Sequence, residues 1–199
     1  MIIVFQIIVL ILSAVVHEYM HGWAAHRLGD NTAKDAGRLT INPLAHLEWF
    51  GSFLLPAAMV LSGLPFVFGW AKPVPYNPYN LRDRRYGEAK VALAGPASNL
   101  FLAIAFGLVL RFVPFFNLTF VGLLMIIVQI NLILMVFNLI PIPPLDGSKI
   151  LATFLPATYR ERYLSLERTG FIFIILLVML AGSFIMPLVN FLFRMIVGA

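Results

Sequence analysis

The chain has no cysteine in 199 residues, and it has little charge. The first absence excludes a disulfide-stapled secreted domain. Charged residues make up 12% and hydrophobic ones 61%, against roughly 25% and 45–50% in an ordinary soluble domain. A soluble globular domain and a disordered chain are therefore excluded as well. No dense basic tract stands out beyond Arg82–Arg85, which argues against a nucleic-acid partner. The net charge of +5, from 14 basic and 9 acidic residues, is better read as setting orientation in a bilayer.

Seven of the nine acids sit in polar stretches and read as ordinary loop charges: Asp30, Asp35, Glu48, Asp83, Glu88, Glu161 and Glu167. Two do not. Glu18 lies inside the first apolar segment, and Asp146 directly follows another. A carboxylate at membrane depth is expensive and marks function by default.

What is present is long charge-free runs. A spanning helix needs about 20 mostly apolar residues. Residues 1–26, 91–110, 121–139 and 169–193 qualify, with Pro187 expected as a late kink or stop. The N-terminal run lacks a basic flank and continues into a histidine-bearing segment, so it reads as a retained helix rather than a signal peptide. Residues 49–71 are charge-free but carry Gly51, Pro56, Gly63, Pro65 and Gly69. The stretches 27–48, 72–90 and 148–168 hold three, five and four basic residues, which places them on the cytoplasmic side. Segment 49–71 must then dip in and return as a re-entrant hairpin, covered by protein or lining a water cavity. No repeat, low-complexity tract or linker marks a second domain. The expectation is an all-α polytopic membrane protein in one domain, 1–199, with a C-terminal spanning helix over about 169–197.

Residues 17–21 read His17-Glu18-Tyr19-Met20-His21, the pattern H-E-x-x-H. On a helix, positions four apart share one face, so both imidazoles can reach one zinc ion at about 2.0–2.1 Å. Glu18 sits beside the metal, where it can take a proton from a water on it. The motif lies ten residues before Arg27, roughly 15 Å deep at 1.5 Å per residue. Two histidines and a glutamate there without a partner would be costly. His26, beside Arg27, reads as interfacial.

Catalytic zinc usually takes three protein ligands. The best third candidate is Asp146, in Asn138-Leu139-Ile140-Pro141-Ile142-Pro143-Pro144-Leu145-Asp146-Gly147. The prolines end the preceding helix, and Gly147 is expected to let the chain turn. The alternative is an aspartate capping the next helix. Topology gives an independent reason for the ligand: with 49–71 re-entrant, Asp146 falls at the same end as the histidines. Zinc at +2 with Asp146 and Glu18 at −1 each would also leave the site neutral, as a low-dielectric interior favours.

With these residues the chain resembles the site-2 protease family of intramembrane zinc metalloproteases. His17–His21, Leu39-Thr40-Ile41-Asn42-Pro43-Leu44, Ala94-Gly95-Pro96-Ala97-Ser98-Asn99 and Asn138-Leu139-Ile140-Pro141 through Leu145-Asp146-Gly147 match in order. They cover about residues 10–150. Gly69-Trp70-Ala71-Lys72-Pro73-Val74-Pro75 looks like the short branch with neither a PDZ nor a CBS domain. The resemblance implies that His17, His21 and Asp146 bind one Zn2+ and that Glu18 is the catalytic acid/base. It implies a three-helix catalytic core, here 1–27, 89–112 and 120–141. It also implies cleavage of a transmembrane protein substrate in the lipid bilayer, usually after a first cut by another protease. Segment 49–71 is an addition relative to the most compact relatives. A cell-membrane location is expected, with the site nearer the cytoplasm; a homo-oligomer stays open.

Three residues read two ways. Asn99 and Asn138 either donate to the oxyanion or hold unwound substrate backbone, or else bond helix to helix. His46 either lines the site or is interfacial. The Leu39–Leu44 stretch is a candidate strand edge for an extended substrate. The competing function is a zinc transporter or a non-proteolytic zinc-binding membrane protein. A transporter usually needs further acids or histidines along a path, and no other acid lies in an apolar run.

Overall fold

The computed structural model describes residues 2–48, 72–114, 117–168 and 170–198, with scattered positions between 51 and 62. For 168 and 170–182 it describes the backbone alone. The described residues form helices and no strand. Three helices are long and apolar enough to cross a membrane: α1 (Ile2–Arg27), α4 (Gly87–Phe112) and α5 (Leu118–Asn138). Short helices α2 (Thr32–Asp35) and α3 (Pro43–His46) follow α1. Helices α6 (Asp146–Ala152) and α7 (Ala157–Ser165) follow α5. The last, α8 (Gly170–Val197), is 28 residues long with Arg194 its one charge. Pro187 lies inside α8, so it is not the stop that the sequence suggested.

Helix ends follow local chemistry. At the end of α1, Asp30 N–H donates to Ala25 O and Gly29 N–H to His26 O. Gly29 adopts φ 105°, the left-handed geometry that closes a helix and that only glycine takes without strain. His26 and Arg27 in that last turn suit the negative end of the helix dipole. Asn117 caps α5 by accepting from Thr119 N–H and Phe120 N–H. The helix ends at Asn138, one residue short of the 121–139 run and three before Pro141, where the family resemblance had implied its end.

Helices α1 and α4 run antiparallel: Ser13 faces Asn99, and His21 faces Val91. Helix α5 returns alongside, its Asn131 against Asn99. Apolar burial drives little between helices in lipid, so close packing and interhelical hydrogen bonds hold them. Small residues serve this: a Cβ on Gly107 would overlap Ile196 of α8. Ala103, Val128, Leu132, Met135, Ile185 and Val189 form the core between α4, α5 and α8. Arg111 Nη1 donates to Met195 O at 3.2 Å, which places the C-terminal ends of α4 and α8 together. Ile3, Ile8, Leu12, Phe101 and Leu108 stay exposed, as a lipid-facing surface requires. Trp23 lies on the outer face with Arg27 over its ring, a pairing suited to a membrane–water interface.

The connections gather at the α1 C-terminal end. Asp30 is not the loop charge that its position suggested, for it is fully buried. Its carboxylate accepts from Thr32 N–H and Oγ1–H, Asn77 N–H and Asn80 Nδ2–H. Burial pushes this carboxyl up, but those hydrogen bonds outweigh it and hold it below its ordinary value. The re-entrant reading of 49–71 falls largely outside the described residues. Its flanks meet: Lys72 N–H donates to His46 O at 2.8 Å, and Arg38 Nη2 donates to Lys72 O.

Candidate metal centre

His17 and His21 sit one turn apart on α1, with ring centroids 4.6 Å apart and planes at 83°. His21 Nδ1 lies 2.7 Å from the carbonyl of Val91, and His17 Nδ1 lies 2.6 Å from Asn99 Oδ1. These oxygens can only accept, so each Nδ1 carries a proton, and in the neutral ring each Nε2 presents a lone pair. Both Nε2 atoms face one oxygen of Asp146, at 3.0 and 3.2 Å. Electron-rich atoms converging this way repel one another unless a metal cation or an added proton lies between them. The three ligand atoms lie within 4.8 Å of one another. Donors on one tetrahedral zinc at about 2.0–2.1 Å would be about 3.3 Å apart, so the set fits that ion. Gly95 keeps the place open, for a Cβ there would overlap both Nε2 atoms.

Asp146 reaches the histidines because α5 stops. Ile142 N–H donates to Ile140 O and Leu145 N–H to Ile142 O, folding the proline segment back on itself. Asp146 then opens α6. Gly147 was expected to serve a turn, yet it lies within α6 and is not among the positive-φ glycines. Its role is close approach: a Cβ would strike the carbonyls of Leu139 and Ile140.

Glu18 lines a cavity of about 150 Å³ together with His17, His21, Asp146, Tyr76, Asn138 and Lys149. Its Oε2 accepts from Val74 N–H at 2.8 Å. Val74 stands between Pro73 and Pro75, which have no N–H. It is therefore the only backbone donor between Lys72 and Tyr76 in the strap crossing the site. Gly22 lets that strap lie close, since a Cβ there would meet Val74 Cγ1 at 2.9 Å. Pro96 likewise leaves the carbonyl of Ala92, on the cavity wall, without its helical donor. Lys149 Nζ lies 5.5 Å from the Tyr76 ring centroid. Burial, then the Glu88 carboxylate, push the Tyr76 phenol up, so it remains protonated.

The other singled-out residues separate. Asn138 is on the cavity wall, with Nδ2 donating to Leu134 O at 2.9 Å. Asn99 is fully buried behind His17, off that wall. His46 is fully buried, donates through Nε2 to Thr40 O at 2.6 Å, and does not line the cavity. Leu39–Leu44 forms no strand; Asn42 instead caps the single turn of α3. His26 is half-buried and bonds Asn31. Sequence reasoning passed over Asn131 and Ser13. The signal for Asn131 was an amide in an apolar helix, two turns before Asn138 and hence on the same face.

The model of peptidase family M50 matches residues 113–183, which include Asp146. The relative named "Putative zinc metalloprotease YwhC", from Bacillus subtilis (strain 168), is 38% identical over 196 residues, covering 94% of this chain and 86% of its own. Rip2 of Mycolicibacterium smegmatis, under the same description, is 31% identical over 84% of this chain and 63% of its own. MJ0611 of Methanocaldococcus jannaschii, again so described, is 33% identical over 74% and 72%. No solved structure matches the chain significantly. Long apolar helices, a buried two-histidine, one-aspartate centre and these relatives converge: the chain belongs to peptidase family M50, the site-2 protease family of membrane zinc metalloproteases.

Proposed function

We propose that the protein is an intramembrane endopeptidase that hydrolyses a peptide bond in a transmembrane segment of another protein, with one zinc ion per chain. The observation that carries this is the shared cavity: Glu18 stands on its wall beside His17, His21 and Asp146. His17 Nε2, His21 Nε2 and an Asp146 oxygen would hold the metal. Zinc there supplies a Lewis acid that makes water nucleophilic near neutral pH and polarises the scissile carbonyl. Glu18 takes the proton of the attacking water and passes it to the leaving amine. Val74 N–H aims the Glu18 carboxylate. Asn138 keeps one amide hydrogen beyond its bond to Leu134 O, and this serves the oxyanion or unwound substrate backbone. A helical substrate hides its peptide bonds in its own hydrogen bonds, so it must unwind before it is cut. The basic connections support a site nearer the cytoplasm, and the cell membrane is the host membrane of this reading.

The test uses purified protein in detergent and a model membrane substrate. Glu18→Gln should keep zinc and lose cleavage, while His17→Ala and Asp146→Ala should lose zinc. Zinc loss or full activity in Glu18→Gln overturns the assignment. Zinc flux into liposomes without cleavage favours a transporter.

A further inference from the structure

Asn131 is fully buried, and it neither lines the cavity nor belongs to the metal-ligating set. Its hydrogen bonds nevertheless reach His17 through Asn99. Nδ2 lies 2.9 Å from the carbonyl of Ile127. A backbone carbonyl only accepts, so the amide nitrogen must face it. The other amide hydrogen goes to Ser13 Oγ at 3.0 Å. Asn131 Oδ1 is thereby turned toward Asn99, which must answer with its own NH2, at 3.0 Å; the same NH2 also reaches the Ser13 carbonyl, at the longer distance of 3.4 Å. Asn99 Oδ1 then falls on His17 Nδ1 at 2.6 Å.

We propose that Asn131 is a positioning residue for the metal centre: by fixing the amide of Asn99, it holds His17 as the Nδ1–H tautomer with Nε2 free to ligate. This rests on the zinc-site reading above. Were Asn99 reversed, its NH2 would face His17 Nδ1 and its oxygen would face Asn131 Oδ1. His17 would then carry its proton on Nε2, aimed at Asp146 Oδ2, 3.0 Å away. That hydrogen bond satisfies both groups but blocks the metal. A carboxylate at position 99 would have no wrong end, yet it would add a charge to a site that zinc, Asp146 and Glu18 bring to neutrality. The amide supplies an acceptor without charge, and Asn131, as the nearer of the two acceptors for the Asn99 NH2, removes most of its ambiguity.

The experiment measures zinc affinity of the full chain in detergent, and reads the His17 tautomer by 15N NMR of the metal-free chain. Asn131→Leu should weaken zinc binding by about threefold or more, up to the roughly 10–100-fold that losing the direct partner of a ligand costs. It should also move the His17 proton toward Nε2. Adding Asn99→Asp to it should restore affinity to within about threefold of Asn99→Asp alone, since a carboxylate cannot be reversed. Where the Leu variant does not fold, Asn131→Thr takes its place, because its hydroxyl still donates to Ile127 O. Unchanged affinity with the wild-type tautomer overturns the inference, as does a double variant no tighter than Asn131→Leu. A wild-type chain that takes up no zinc removes the function proposed above, and the NMR readout still decides this inference.

Discussion

Gly95 on α4 faces His17 on α1 so closely that a Cβ at position 95 would stand 2.5 Å from His17 Nε2. The space for a metal is therefore made partly by a missing methyl group. Gly95→Ala should drop zinc content from about one per chain to near zero while the helices remain folded. Metal analysis beside circular dichroism checks this; full zinc content would remove Gly95 from the site.

Val74→Pro deletes the one N–H that the strap offers to Glu18. A hydrogen bond to a charged group contributes roughly 1.5–3 kcal/mol, so kcat should fall about tenfold or more with zinc retained. Val74→Ala keeps the N–H and should stay within about twofold of wild type. Parallel cleavage rates and metal analysis of the two variants decide it.

Asp30 ties the α1 end to residues 77–80 through a carboxylate held below its ordinary value of 3.8. A lowered folded pKa means that this stability is fully present above the unfolded value. It is lost as pH falls through the folded one. Asp30→Asn should lower the unfolding temperature at pH 7, costing roughly 1–3 kcal/mol. The gap between variant and wild type should close as pH drops below about 4. A gap that does not narrow as pH falls would show that the carboxylate charge is not what binds these connections.

Arg84 is exposed in the basic stretch 72–90, and the chain has no cysteine. A single Arg84→Cys should react with a membrane-permeant thiol reagent in whole cells and resist an impermeant one. Labelling by the impermeant reagent would reverse the orientation read from charge.

The four long helices and the two histidines with Glu18 were legible from the sequence because each is a local pattern. Charge-free length dictates a spanning helix, and a spacing of four puts two rings on one face. Asp146 was legible from its displacement out of an apolar run, since a carboxylate there needs a reason. Gly147 was picked out, but for a turn, because sequence shows that a Cβ is absent and not what that Cβ would have struck.

Composition and spacing were enough for the membrane class and for singling out His17, His21 and Asp146 as candidate ligands. Tertiary structure alone decided what surrounds them. Val74 stands 56 residues from Glu18, and Asn131 stands 118 from Ser13. No periodicity links such pairs; only the packing of α1, α4 and α5 does. Hydrogen bonds carry direction, and their direction at Asn99 and His17 depends on which atoms three helices bring within reach. An amide in an apolar run announces that it needs partners, but the fold chooses them.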